Sequence, residues 1–157
     1  MQEFANSPSL RNGIFDLLSS VNMANDTNVN LLDYTIELFK DNGLFSDYYG
    51  YHNVDHELEV TYVTLLSGIH SLKEGYLSLD DLNYLYASAL LHDFDPAKAM
   101  DKPHEKNVIN FISKNKTIQK LLDQADLDPF LICSLISRTV YPYKLSLIHI
   151  SEPTRPR

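Results

Sequence analysis

Between Asn53 and Gly75 the sequence carries one long apolar stripe at helical spacing: Leu58, Tyr62, Leu65, Leu66, Ile69 and Leu72. Residues recurring every three or four positions share one face of an α-helix and cannot share one face of a strand. Asn53 is a good N-cap for that helix, and Asp55 and Glu57 fall in a first turn whose dipole favours negative charge. On this reading both are solvated first-turn charges, and the helix ends near Lys73, before Gly75. Ser78-Leu79-Asp80-Asp81 then spells a capping box, with Leu77 and Leu82 placed to staple it. The helix so started carries Leu82, Leu85, Tyr86, Ala89 and Leu90 inward and delivers the pair His92-Asp93 at its C-terminal end. Its small residues Ala87, Ser88 and Ala89 would let a neighbouring helix approach closely.

The rest of the chain follows the same logic. Residues 1–9 read as frayed. Leu10, Ile14, Leu17, Leu18 and Val21 predict a first helix over roughly 9–21, and the Asn/Asp/Ser-rich stretch 19–28 predicts a loop. A second helix is expected from about Asn28 to Lys40, with Leu31, Leu32, Thr35, Leu38 and Phe39 inward, followed by an aromatic loop from Phe45 to Tyr51. Asp95-Pro96 closes the fourth helix. Pro103-His104-Glu105 opens another that runs to about Lys114, with Val108, Ile109 and Ile112 inward. Short helices at about 117–124 and 128–139 complete the pattern, the last opened by the cap and N1 proline of Asp128-Pro129 and carrying Phe130, Ile132, Leu135 and Ile136 inward. No segment alternates at period two over six residues, so the fold class is all-α, a helical bundle in one domain over residues 1–144.

Composition narrows the function. A hydrophobic content of 44% and a charged content of 22% suit a soluble globular domain. There is no apolar run of about 18 residues to span a membrane, and Met1 to Leu10 lacks the pattern of a secretory signal. The expected compartment is cytoplasmic, with no membrane partner. The single cysteine, Cys133, sits in an apolar run and reads as a buried inert thiol. A net charge of −8 without a Lys/Arg cluster argues against long nucleic acid as partner. A small anionic substrate stays open, because a bound cation can outweigh the surrounding charge locally.

The last stretch departs from this pattern. Leu145 to Arg155 reads residue for residue as the in-frame translation of a transposase adapter used in shotgun sequencing. Residues 145–157, His149 among them, are therefore set apart from the functional argument as a non-native tail. The native gene is expected to continue past Lys144.

Of the five histidines before that tail, three lie in Tyr51-His52-Asn53-Val54-Asp55-His56 and in His92-Asp93. Two histidines on one short turn and a His-Asp pair at another helix end are the ingredients of a mixed nitrogen and oxygen metal site. Imidazole with carboxylate suits Zn, Fe, Mn or Ni better than Mg or Ca. Adjacent helical residues diverge by about 100°, but at a helix end the backbone can let His92 and Asp93 converge. The plainer reading is a capping histidine and a dipole-favoured one, which would suffice for either residue singly.

Taken together, Tyr51-His52-Asn53-x-x-His56 and His92-Asp93 resemble the HD superfamily of metal-dependent phosphohydrolases. The first block is most similar to the cyclic-nucleotide phosphodiesterase branch and to small stand-alone HD proteins, and the resemblance covers about residues 48–142. It implies an HD-domain helical bundle with His56, His92 and Asp93 as ligands to one or two divalent ions (Mn, Fe, Zn, Ni or Mg), Asp93 bridging the pair. It also implies that His52 is the general acid toward the leaving alkoxide. The substrate would be a small phosphoester, such as a nucleotide or cyclic nucleotide. His104 resembles a histidine that lines the site in small HD proteins, either a second-metal or phosphate ligand or simply an exposed first-turn residue. Lys98, Lys102 and Lys106 could hold phosphate, though surface solvation is the simpler reading. The family's fourth ligand is an aspartate on a later helix, which the resemblance places past Lys144. The domain over 1–144 is therefore expected to be incomplete at its C-terminus, and these residues to hold metal weakly and show little hydrolysis. Asp126 and Asp128 precede that place in the chain and are taken as decoys. Two alternatives stay open: a non-catalytic HD domain acting as a nucleotide- or partner-binding sensor, and a helical scaffold with incidental histidines.

Overall fold

The computed structural model describes residues 2–42, 53–96 and 104–137, with side chains from Pro8 onward. These residues form seven helices and, among them, no strand: α1 (Gln2–Ser20), α2 (Asp26–Asp41), α3 (Val54–Lys73), α4 (Leu79–Leu91), α5 (Glu105–Lys114), α6 (Lys116–Gln124) and α7 (Pro129–Ser137). The all-α expectation holds.

Most boundaries follow from local chemistry. Asn53 accepts the His56 N–H at 3.0 Å and starts α3. Ser78 and Asp81 exchange both bonds of the capping box, at 3.1 and 3.0 Å, and start α4. α2 begins two residues earlier than expected because Asn25, accepting from Asn28 N at 2.8 Å, is its cap. α1 also begins earlier, at Gln2, and runs through Pro8; the proline removes one backbone donor and leaves the rest of the ladder. Three helices end in the same way. Asn22, Gly75 and Asp126 take positive φ (62°, 85° and 59°) just past α1, α3 and α6. After each, paired backbone bonds fold back on the last turn, as in Tyr76 N to Ser71 O at 2.9 Å and Gly75 N to Leu72 O at 3.1 Å. Asp126 is thus a helix terminator.

α3 and α4 are joined by a short turn and pack against each other, so the start of α3 and the end of α4 lie at one end of the hairpin. α1 packs on α3, α7 on α4, and α2 reaches α3, α4 and α6. The buried face of α3 is rotated from the expected stripe. Val54, Glu57, Leu58, Thr61, Leu65, Gly68 and Ile69 are buried, Tyr62 is half-buried, and Leu66 is 48% exposed. Small residues on the side facing α4 explain the rotation: a Cβ on Gly68 would collide with the Leu82 side chain, so α4 seats where Gly68 leaves room. Tyr62 instead faces Gly13 of α1. In α4, Ala87, Ser88 and Ala89 are buried as expected. On α7, Ile132 and Ile136 point inward but Phe130 is 75% exposed, contrary to expectation, because it lies on the opposite side of the first turn. Cys133 is half-buried against the core, and burial pushes its thiol pKa up, as an inert cysteine requires.

Tyr86 illustrates how polar atoms are handled in this core. It is fully buried, and its hydroxyl donates to the Asn28 carbonyl at 2.7 Å. Burial raises its pKa and keeps it a donor. Asn28 in turn donates to Met23 O at 2.8 Å and to Asn83 Oδ1 at 3.1 Å, tying α2 to α4. Tyr86→Phe keeps the ring and removes this buried bond while Asn28 O keeps its helical partner, so it should lower stability by about 1 kcal/mol. Denaturant unfolding checks this; an unchanged midpoint would show that the bond contributes nothing.

Candidate metal centre

Cap chemistry aims the ligands. Asn53 holds the His56 backbone in the first turn of α3. His92 follows α4 directly and keeps helical dihedrals, φ −65° and ψ −29°. Its Nδ1 lies 2.8 Å from Ala89 O, one of the carbonyls that the end of α4 leaves without a helical partner. That carbonyl can only accept, so Nδ1 is the donor, which in a neutral imidazole leaves the lone pair on Nε2. Nε2 of His92 lies 3.4 Å from Asp93 Oδ2, and Nε2 of His56 lies 3.8 Å from the same oxygen. One ligand atom from each of His56, His92 and Asp93 lies within 4.8 Å of the other two. No other group of this kind occurs among the described residues.

Whether an ion fits can be judged from these distances. Bonds of about 2.0–2.2 Å place neighbouring ligand atoms roughly 3–3.5 Å apart. The His92 to Asp93 spacing meets this, and the His56 spacing is a few tenths of an ångström wider. The side chains are 24%, 12% and 18% exposed for His56, His92 and Asp93, which buries the cluster yet leaves it reachable from solvent. Two imidazoles and a carboxylate with an open side can hold one divalent ion.

The surprise of the site is Glu57. It is 0% exposed, where a solvated first-turn charge was expected. Oε2 accepts the Asp93 backbone N–H at 3.1 Å, and Oε1 lies 3.1 Å from His92 Nδ1. Oε1 nevertheless has no aligned hydrogen bond, because the Nδ1–H is directed at Ala89 O. Burial, and then the charge of Asp93, push the Glu57 pKa well above the ordinary carboxylate range; the Asp93 N–H opposes them. A sequence signal for this burial existed. Glu57 stands four residues before Thr61 and eight before Leu65, on the column that α4 covers.

The other candidates fall elsewhere. His52, Lys98 and Lys102 lie outside the described residues. His104 is not one of the three residues in that group and caps α5, its Nδ1 accepting from Lys106 N at 3.2 Å. Lys106 is exposed. Asp128 caps α7, accepting from Phe130 N at 2.9 Å. Asp95, read from sequence only as a helix stop, is fully buried and accepts from His104 N at 2.9 Å and Asn107 Nδ2 at 3.1 Å. It ties the chain after Asp93 to the start of α5. No helix of the described residues is long and apolar enough to cross a membrane.

The Glu57 shift sets a pH dependence. In the unfolded chain this carboxyl ionises near 4.5, whereas in the folded, metal-free chain it stays protonated to higher pH. The unfolded state then binds fewer protons, so stability is greatest below that value and declines as pH rises toward the folded pKa. The slope from this one group is at most about 1.4 kcal/mol per pH unit. Urea unfolding of the metal-free protein across pH 4–8 should show the decline, and Glu57→Gln should flatten it. Parallel curves for both proteins would contradict the assignment.

Comparison with known proteins returns no match to a family model, a curated protein or a solved structure.

Proposed function

We propose that this chain is a metal-dependent phosphohydrolase of the HD type, acting on a small phosphoester of the nucleotide or cyclic-nucleotide class. The observation that carries this reading is the convergence of His56, His92 and Asp93. The same three residues are the ligands that the resemblance at Tyr51–His56 and His92-Asp93 implies. A chance pair of capping histidines has no reason to bring both Nε2 atoms to one carboxylate oxygen.

A divalent ion supplies Lewis acidity toward phosphoryl oxygens and brings the pKa of water down from about 15.7 toward 7. The chain's own residues do the rest. His56 and His92 contribute neutral nitrogen ligands, which leave the positive charge of the ion largely available to an anionic substrate. Asp93 contributes the single carboxylate. His52 precedes His56 by four residues, and in this reading it delivers a proton to the leaving oxygen, a task that suits imidazole because its unperturbed pKa of about 6.5 lies near neutral pH.

Two experiments test this. Purified protein should take up Mn²⁺ or Zn²⁺, and with the native continuation expected past Lys144 it should hydrolyse a phosphodiester. His92→Ala and Asp93→Ala should lose both properties, and equal metal content in all three proteins would remove the site. His52→Ala should keep the ion and lose rate by about 10²–10⁴-fold on an ester with a poor leaving group. The loss should be much smaller on a nitrophenyl ester, whose leaving group needs no proton. An equal loss on both substrates would show that His52 is not the acid.

A further inference from the structure

Glu57 is fully buried, yet one of its oxygens has no aligned donor. A buried carboxylate oxygen in that condition is costly unless something positive faces it. What faces it is the edge of the His92 ring, at 3.1 Å. Its other oxygen takes the Asp93 N–H. One side chain therefore touches both adjacent residues of the His-Asp pair, one through its ring and one through its backbone. It reaches them from α3, the helix that also carries His56.

We propose that Glu57 is a positioning residue for this centre. With an ion bound, its ionised carboxylate faces the His92 ring edge and, beside the bond to Ala89 O, favours the Nδ1–H tautomer, while its second oxygen fixes the Asp93 backbone, so that His92 Nε2 and Asp93 Oδ2 face one point. The proposal rests on the metal reading above. Two acceptors on one side of the ring leave Nε2 as the sole lone pair of His92 and make it more basic. This is the relation that outer carboxylates have to histidine ligands in metal sites generally. The backbone contact explains why Asp93 meets His92 although adjacent helical residues diverge. Glutamine cannot replace it: its amide must present N–H₂ either to the Nδ1–H or to the Asp93 N–H, and both are donors.

The test is Zn²⁺ affinity by chelator competition on wild type and Glu57→Gln, with circular dichroism to confirm that the variant is folded. Binding weaker by about 10–100-fold is expected. Affinity within twofold of wild type overturns the proposal and leaves the metal site standing. A wild type that takes up no Zn²⁺ contradicts the metal site itself, and the proposal falls with it. If that variant does not fold, Glu57→Asp, whose shorter carboxylate cannot span both contacts, is measured in its place, and unchanged Zn²⁺ affinity in it would overturn the proposal.

Discussion

Along the seam between α3 and α4, Gly68 leaves no room for a side chain against Leu82, and the two helices close on each other there. Leu58, Leu65 and Ile69 from one helix and Leu82, Tyr86 and Leu90 from the other fill the core on either side of this contact. Burying side chains of this size gains about 1.5–3 kcal/mol each, so the pairing is set by a gain far larger than any polar contact in the site. The candidate centre follows from it. A short turn after α3 returns the chain antiparallel, and the first turn of α3 then meets the residues just past α4.

At that meeting point, helix ends supply the chemistry. The start of α3 has free N–H groups and a positive dipole end; Asn53 takes one of those donors, and Glu57 sits in the same turn. The end of α4 has free carbonyls, and His92 covers one of them with its Nδ1–H. The atoms that complete the helices are thus also the atoms that aim the ligands. Glu57 joins the two ends, since it belongs to α3 and its carboxylate meets His92 and the Asp93 N–H, just past α4. Its isolation from water makes it expensive on its own, and a cation beside Asp93 would offset that expense.

What could be read in the sequence was what is local. The caps at Asn53 and Ser78 with Asp81, the N1 proline of α7 and the glycine after α3 depend on a few neighbouring residues, and each stands where the sequence places it. The three residues of the candidate site could also be picked out, through the resemblance at Tyr51–His56 and His92-Asp93, and the fold brings them together. Leu66 and Phe130 could not, because their environments depend on which side of a helix its neighbours occupy; Glu57 carried a signal in its spacing to Thr61 and Leu65 that its charge concealed. Leu66 has the right spacing for burial but is 48% exposed. Glu57 has the composition of a solvated residue and the position of a buried one. Asp95 was hidden for a similar reason, its partners being nine and twelve residues away.

The central claim is that His56, His92 and Asp93 bind one divalent ion. Anomalous diffraction from crystals of the Zn²⁺-loaded protein tests it most directly. The account predicts one strong peak within about 2.0–2.2 Å of Nε2 of His56, Nε2 of His92 and a carboxylate oxygen of Asp93. Zinc bound elsewhere on the chain, with these three side chains uncoordinated, would contradict it.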